Sequence, residues 1–166
     1  VLQTQSTQAD GTRLQHGQGE LFWDLSPEDS RWKRGLRFDA RVRSGGGPGM
    51  LGLHWTHQFN LSDRWSLRLI ALSSMDVGGE TEPVVQLQTR GSVFTRLDSG
   101  LTLGLEFYEV YGALGDLRSL PEQGHQLGPF AFIPVTEEIQ LFTGVLAGLN
   151  DASPSLELRA WGTYTF

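Results

Sequence analysis

Apolar and polar residues alternate with a period of two along most of the chain, and the 3.6-residue spacing of a helix is almost absent. The C-terminal stretch is the clearest case. Leu156, Leu158, Ala160, Gly162, Tyr164 and Phe166 fall on one face, and Ser155, Glu157, Arg159, Trp161, Thr163 and Thr165 on the other. Working towards the N-terminus, the apolar faces are Ile139 to Leu149 (odd positions), Leu127 to Val135, Leu101 to Phe107, Val85 to Leu97, Trp65 to Ala71, Leu51 to Leu61 and Leu36 to Val42. These make eight strands. A ninth over about 12–25 sets Leu21, Trp23 and Leu25 against His16, Gln18, Glu20 and Asp24, and the Gln/Thr alternation of Val1–Gln8 predicts a tenth.

Two kinds of connection alternate between these segments. Short ones are Ser26–Arg31, Ser62–Asp63, Asp98–Gly100 and Thr136–Glu137; longer, Gly- or Pro-rich ones are Ser44–Gly49, Val77–Glu82, Gly112–Gly124 and Asn150–Pro154. Their turn chemistry predicts hairpins throughout. No linker or composition break interrupts the 166 residues, so residues 1–166 read as one domain.

Composition narrows the partners. The net charge of −6 argues against nucleic acid, whose phosphates call for a basic face. The absence of cysteine removes disulfides and thiolate metal sites. No apolar run reaches the ~20 residues of a membrane helix. A chain that begins at Val1 reads as a mature numbering or a fragment. Positive charge is almost entirely arginine, Lys33 being the one lysine.

The placement of those arginines changes the reading of the alternation. Arg37, Arg41, Arg43, Arg68, Arg90, Arg96 and Arg159, with Asp39, Glu106, Glu138 and Glu157, all fall on the polar face. The apolar face carries almost no charge. Its aromatics gather near strand ends: Trp23, Trp32, Phe59, Trp65, Tyr164 and Phe166 beside short turns or the C-terminus, Phe107 and Tyr111 beside a long loop. An all-β, transmembrane, antiparallel up-and-down β-barrel has this pattern, with apolar residues toward lipid, polar residues toward the lumen and aromatic girdles at the interfaces. An even strand count favours ten, with eight as the alternative. A soluble β-sandwich with a charged exterior is the competing fold.

The terminal strand Leu156–Phe166, ending Tyr164-Thr165-Phe166, resembles the C-terminal recognition strand of bacterial outer-membrane barrels, with Gly162 standing where a larger apolar residue is usual. Gly35–Arg41, His54–Gln58 and Gly148–Pro154 resemble uncharacterised proteobacterial outer-membrane barrel proteins, and the last stretch loosely resembles barrels of phenol-degradation-pathway transporters. The resemblance implies an outer-membrane location, contact with lipid and lipopolysaccharide, and engagement of the barrel-assembly machinery through Leu156–Phe166. It also implies long loops outside and short turns in the periplasm.

In a barrel this small the lumen is expected to be filled by side chains, with the arginines and carboxylates above forming a charge network. The resulting expectation is a barrel without catalysis or cofactor, structural or embedded in a larger assembly. The alternatives are a narrow anion-preferring channel and an outer-membrane enzyme. His54 and His57 are three apart on a strand, point to opposite faces and cannot share a metal ion. Neither His16 with Glu20 nor His54 with Ser66 sits in a catalytic motif. The loop Gly112–Gly124 is the expected place for a protein partner, because barrels carry specificity on outer loops.

Overall fold

The computed structural model describes residues 2–7, 11–79 and 82–165. Phe166, the last residue of the expected girdle and recognition strand, lies outside them, as do Val1 and Gln8 of the expected first strand. Ten strands form one antiparallel meander: β1 (Leu2–Thr7), β2 (Gly11–Asp24), β3 (Trp32–Arg43), β4 (Gly49–Asn60), β5 (Trp65–Val77), β6 (Gln86–Arg96), β7 (Thr102–Ala113), β9 (Gly124–Pro134), β10 (Ile139–Gly148) and β11 (Leu156–Tyr164). A two-residue strand, β8 (Asp116–Leu117), folds back on the end of β7. The count is therefore ten rather than eight. A sandwich is excluded, because one sheet holds every strand.

That sheet curls into a half-barrel. Among the described residues the ladder runs from β1 to β11 and no pairing joins its two edges. β1 is the shortest strand of the meander, with six residues of which Leu2 alone is strongly apolar.

The core lies on the concave side and is polar at its centre. Asp39 is 4% exposed and Glu106 8%, whereas Leu105 is 50% exposed and Leu158 76%. Leu103 and Leu141 are likewise exposed on the convex side. Ordinary water-soluble folding puts the arrangement the other way round, since burying a charge is costly unless it is paired. The period of two fixes this outcome: within a strand every second residue shares a face, so the leucine set and the arginine set cannot both turn inward.

Register places the aromatics at the rims. Trp23 ends β2, Trp32 opens β3, Phe59 ends β4, Trp65 opens β5 and Tyr164 ends β11, all at the rim of the short turns. Trp32 stacks on Phe59 (centroids 5.7 Å apart) and on His57 (5.7 Å), and its indole N–H donates to His57 Nδ1 at 3.1 Å. His57 thus belongs to the convex surface and His54 to the concave one. Tyr111 lies near the opposite rim, at the end of β7. Phe107 does not lie at a strand end. It pairs with Gly91 and Leu127 inside the ladder, and its ring covers the space that a Gly91 side chain would fill. A bare glycine on a sheet surface leaves a gap that a cross-strand aromatic fills.

Candidate functional site

The concave face divides into a polar region on β2–β5 and an aromatic one on β6–β11. In the polar region Asp39 is the hub. Arg37 approaches it with Nε at 2.9 Å from Oδ1 and Nη2 at 3.0 Å from Oδ2, and His54 Nε2 lies 3.0 Å from Oδ2. Glu20 stands 3.8 Å from the same guanidinium. Gly52, between Asp39 and His54, leaves room for the carboxylate: an added Cβ would sit 3.3 Å from it. Arg41 donates from Nε and Nη2 to Gln18 Oε1 at 2.9 and 2.7 Å, and Arg68 to Gln58 Oε1 at 3.0 and 2.7 Å. These last two guanidiniums meet amides rather than carboxylates. A cavity of about 440 Å³ opens over this region, lined by Phe22, Arg37, His54, Gln58, Arg68 and Ile70 among others.

The aromatic region is anchored by a second pair. Arg159 Nη1 donates to Glu106 Oε1 at 2.6 Å, and the guanidinium lies over Tyr108 (4.9 Å), Phe142 (5.2 Å) and Trp161 (5.2 Å). Phe142 and Trp161 stack with centroids 3.7 Å apart, and Phe130 and Phe132 complete the cluster. Small residues make room for the rings: a Cβ on Gly104 would lie 2.6 Å from the Phe130 ring. Arg90 stands over Tyr108 at 4.8 Å.

Of the eleven charged residues expected in the lumen network, Arg37, Asp39, Arg41, Arg68, Arg90, Glu106 and Arg159 occupy the body of the concave face. The other four are rim residues. Arg43 is partly exposed and meets Asp76 at 3.5 Å. Arg96, the last residue of β6, is exposed beside the turn holding Arg64 and Asp63. Glu157 is nearly half exposed, 4.0 Å from Arg159 Nε. Glu138 does not reach the network: it sits in the β9–β10 turn, where the Thr136 hydroxyl donates to its carboxylate at 2.9 Å. The polar-face pattern runs out to the strand ends and into the turns, where side chains meet solvent and rim partners rather than the body of the network.

Sequence reasoning overlooked the aromatic set Phe94, Phe130, Phe132, Phe142 and Trp161. The signal was available, because β9 and β10 are apolar at both odd and even positions, the mark of strands covered on both faces. It also overlooked a latch at the long-loop rim. His125 Nδ1 contacts the Glu109 carboxylate, His125 Nε2 lies 3.1 Å from Leu120 O, and Ser153 Oγ both accepts from His125 N (2.7 Å) and donates to His125 O (2.9 Å). The serine thus meets the histidine's backbone and not its ring, so the trio lacks a nucleophile–base contact. Its effect is to tie the β7–β9 loop to the β10–β11 turn. In that loop, hydrogen bonds from the Ser119 hydroxyl and backbone N–H hold the Glu122 carboxyl below the usual carboxylate range. Ser153→Ala is expected to free the 149–155 turn and expose Arg118 to trypsin, seen as faster cleavage of the folded variant at that position.

No family model, curated protein or solved structure matches the chain. Among the described residues no group of three or more His, Asp or Glu side chains is arranged to hold a metal ion. Nor, among the described residues, is any helix long and apolar enough to cross a membrane, which says nothing of strands.

Proposed function

We propose that this chain is a small bacterial outer-membrane β-barrel domain that acts as a structural or membrane-embedded component of a larger assembly. One observation carries the reading: the half-barrel is inside-out, with leucines on its exposed convex face and ion-paired carboxylates buried on its concave face. The strands β2 to β7 and β9 to β11, of nine to fourteen residues, reach or exceed the ~9–11 needed to cross a bilayer when tilted. The aromatics at the short-turn rim fit an interfacial girdle. In hydrocarbon an unpaired sheet edge is not tolerated. The reading therefore requires the β1 and β11 edges to be paired in the bilayer, with each other or with further strands. Lipid and lipopolysaccharide are the partners of the convex face, the Leu156–Phe166 strand is the segment offered to the barrel-assembly machinery, and the Gly112–Gly124 loop is the surface offered to a protein.

Refolding the full chain from urea into detergent micelles tests this. The expected result is β-type circular dichroism together with a folded band on unheated gels that shifts on boiling. Folding to a monodisperse monomer in water without detergent would overturn it. Planar-bilayer conductance then addresses the lumen: a filled interior gives no steady steps, and stable anion-selective steps would replace the structural role with a channel.

A further inference from the structure

Both ring nitrogens of His125 meet acceptors at the long-loop rim. The residue is the second of β9 and lies directly across the ladder from Glu109 on β7. Its Nδ1 contacts the Glu109 carboxylate, and its Nε2 lies 3.1 Å from the backbone carbonyl oxygen of Leu120 in the β7–β9 connection. An ionised carboxylate and a carbonyl only accept, so the ring must donate twice to satisfy both. Only the imidazolium carries two N–H groups; the neutral ring has one N–H and one lone pair. On losing a proton the ring keeps the stronger, charge-assisted bond to the carboxylate. The Nε2 lone pair then faces the Leu120 carbonyl, and two acceptors at that distance repel.

The elements packed around the ring bring no competing charge to it. On β7 the next residue on the Glu109 face is Tyr111, and β6 sets Thr89 opposite Glu109. After β10, the Leu149 backbone N–H donates to His125 O at 2.8 Å. In the β10–β11 turn Ser153 meets the histidine's backbone alone. The remaining charged groups of the loop and turn, Asp116, Arg118, Glu122 and Asp151, line a separate cleft, and Glu122 is taken by Ser119. The far end of the loop is held by an amide: Asn150 Nδ2 donates to Gln123 O at 2.6 Å and to Pro121 O at 3.3 Å. An amide does not titrate, so it anchors that end while the Leu120 contact is made or lost.

We propose that His125 is a proton-operated latch, which fixes the 119–121 segment of the loop to the sheet when the ring is charged and releases it when the ring is neutral. Attachment is therefore complete on the acid side and is lost as pH rises through the titration of the ring. In the reading proposed above this loop is the surface offered to a protein, so the latch makes that offer depend on pH. The latch itself rests on β7, β9 and the loop alone and holds whichever medium the convex face meets.

The chain has no cysteine, so Leu120→Cys carries a single nitroxide spin label. The Leu120 side chain is 73% exposed, and the latch uses only its backbone carbonyl. Electron paramagnetic resonance of the labelled, folded full chain is recorded from about pH 5.5 to about pH 9, across the range in which histidine titrates. β-type circular dichroism at each pH shows that the sheet is intact. The label is expected to be immobile at the acid end and mobile at the alkaline end, the mobile-to-immobile ratio rising about tenfold as one charge-assisted bond is lost. His125→Gln and His125→Lys should each abolish the response, because the amide does not titrate and the ammonium stays charged throughout. Either variant suffices if the other fails to fold. Tyr111→Phe should keep the response. A ratio that does not change with pH while His125 is present, a change that survives in a folded His125→Gln or His125→Lys chain, or a response lost in Tyr111→Phe would overturn the proposal.

Discussion

Leu53→Arg is expected to cost about 2–4 kcal/mol of folding stability in a lipid bilayer, the penalty of a guanidinium held near mid-depth on a lipid-facing strand position. Leu53 is the fifth of twelve residues in β4, lies opposite Phe38 and Ser73 in its neighbours, and is 40% exposed on the convex face. The sign of the effect discriminates. On a surface facing water, an exposed Leu→Arg change falls within about ±0.5 kcal/mol and raises solubility. A substitution at Leu146 would not discriminate, because that side chain is 1% exposed on the concave face and arginine there is costly in either medium. Urea titration of refolded protein in thin-bilayer vesicles, comparing native, Leu53→Arg and Leu53→Ala chains, measures the term. A Leu53→Arg variant as stable as Leu53→Ala would place the convex face in water.

The strands were legible because one signal governs them. A period of two needs no knowledge of the partner strand, and each predicted apolar face occupies the convex side as a set. The strand count and the meander order followed from the alternation of short and long turns. Side-chain neighbours beyond one ladder step were not legible. Glu106 and Arg159 are 53 residues apart and meet over two intervening strands, which only the curl of the sheet brings about. The register shift between Leu87 and Gln88 was invisible for the same reason, being a property of the β6–β7 pair and not of either segment. Phe107 misled because five residues separate it from Gly112, where the long loop was expected, and its strand runs on to Ala113, which leaves it inside the ladder. Aromatics on the polar face carried their own signal in sequence. The arginine pattern outweighed it, although arginine and aromatic rings stack and so share a face without conflict.

Glu106→Ala is expected to destabilise the fold by about 3–5 kcal/mol, the cost of stripping one partner from a buried pair. The geometry makes this pair more than local. Glu106 is on β7 and Arg159 on β11, with β9 and β10 between them. Three ladder steps span about 14 Å in a flat sheet, and the bond forms at 2.6 Å because curvature shortens the chord. The intervening strands present glycine at that level: Gly128 pairs with Glu106, and a Cβ on Gly144 would lie 3.3 Å from Glu106 Oε1. The pair therefore clamps four strands into their curl over a floor without side chains. Removing the carboxylate leaves Arg159 only the half-exposed Glu157 at 4.0 Å, beside the unpaired Arg90, so repulsion adds to desolvation. Removing both partners should restore much of the loss, because an apolar replacement of a buried ion pair is often neutral. A double-mutant cycle of Glu106→Ala and Arg159→Met, read by denaturant unfolding, measures this coupling. Additive losses would show that the two groups act separately and that the curl is held by the Phe130–Phe142–Trp161 stack instead. A double variant more stable than either single one would locate the clamp in the pair.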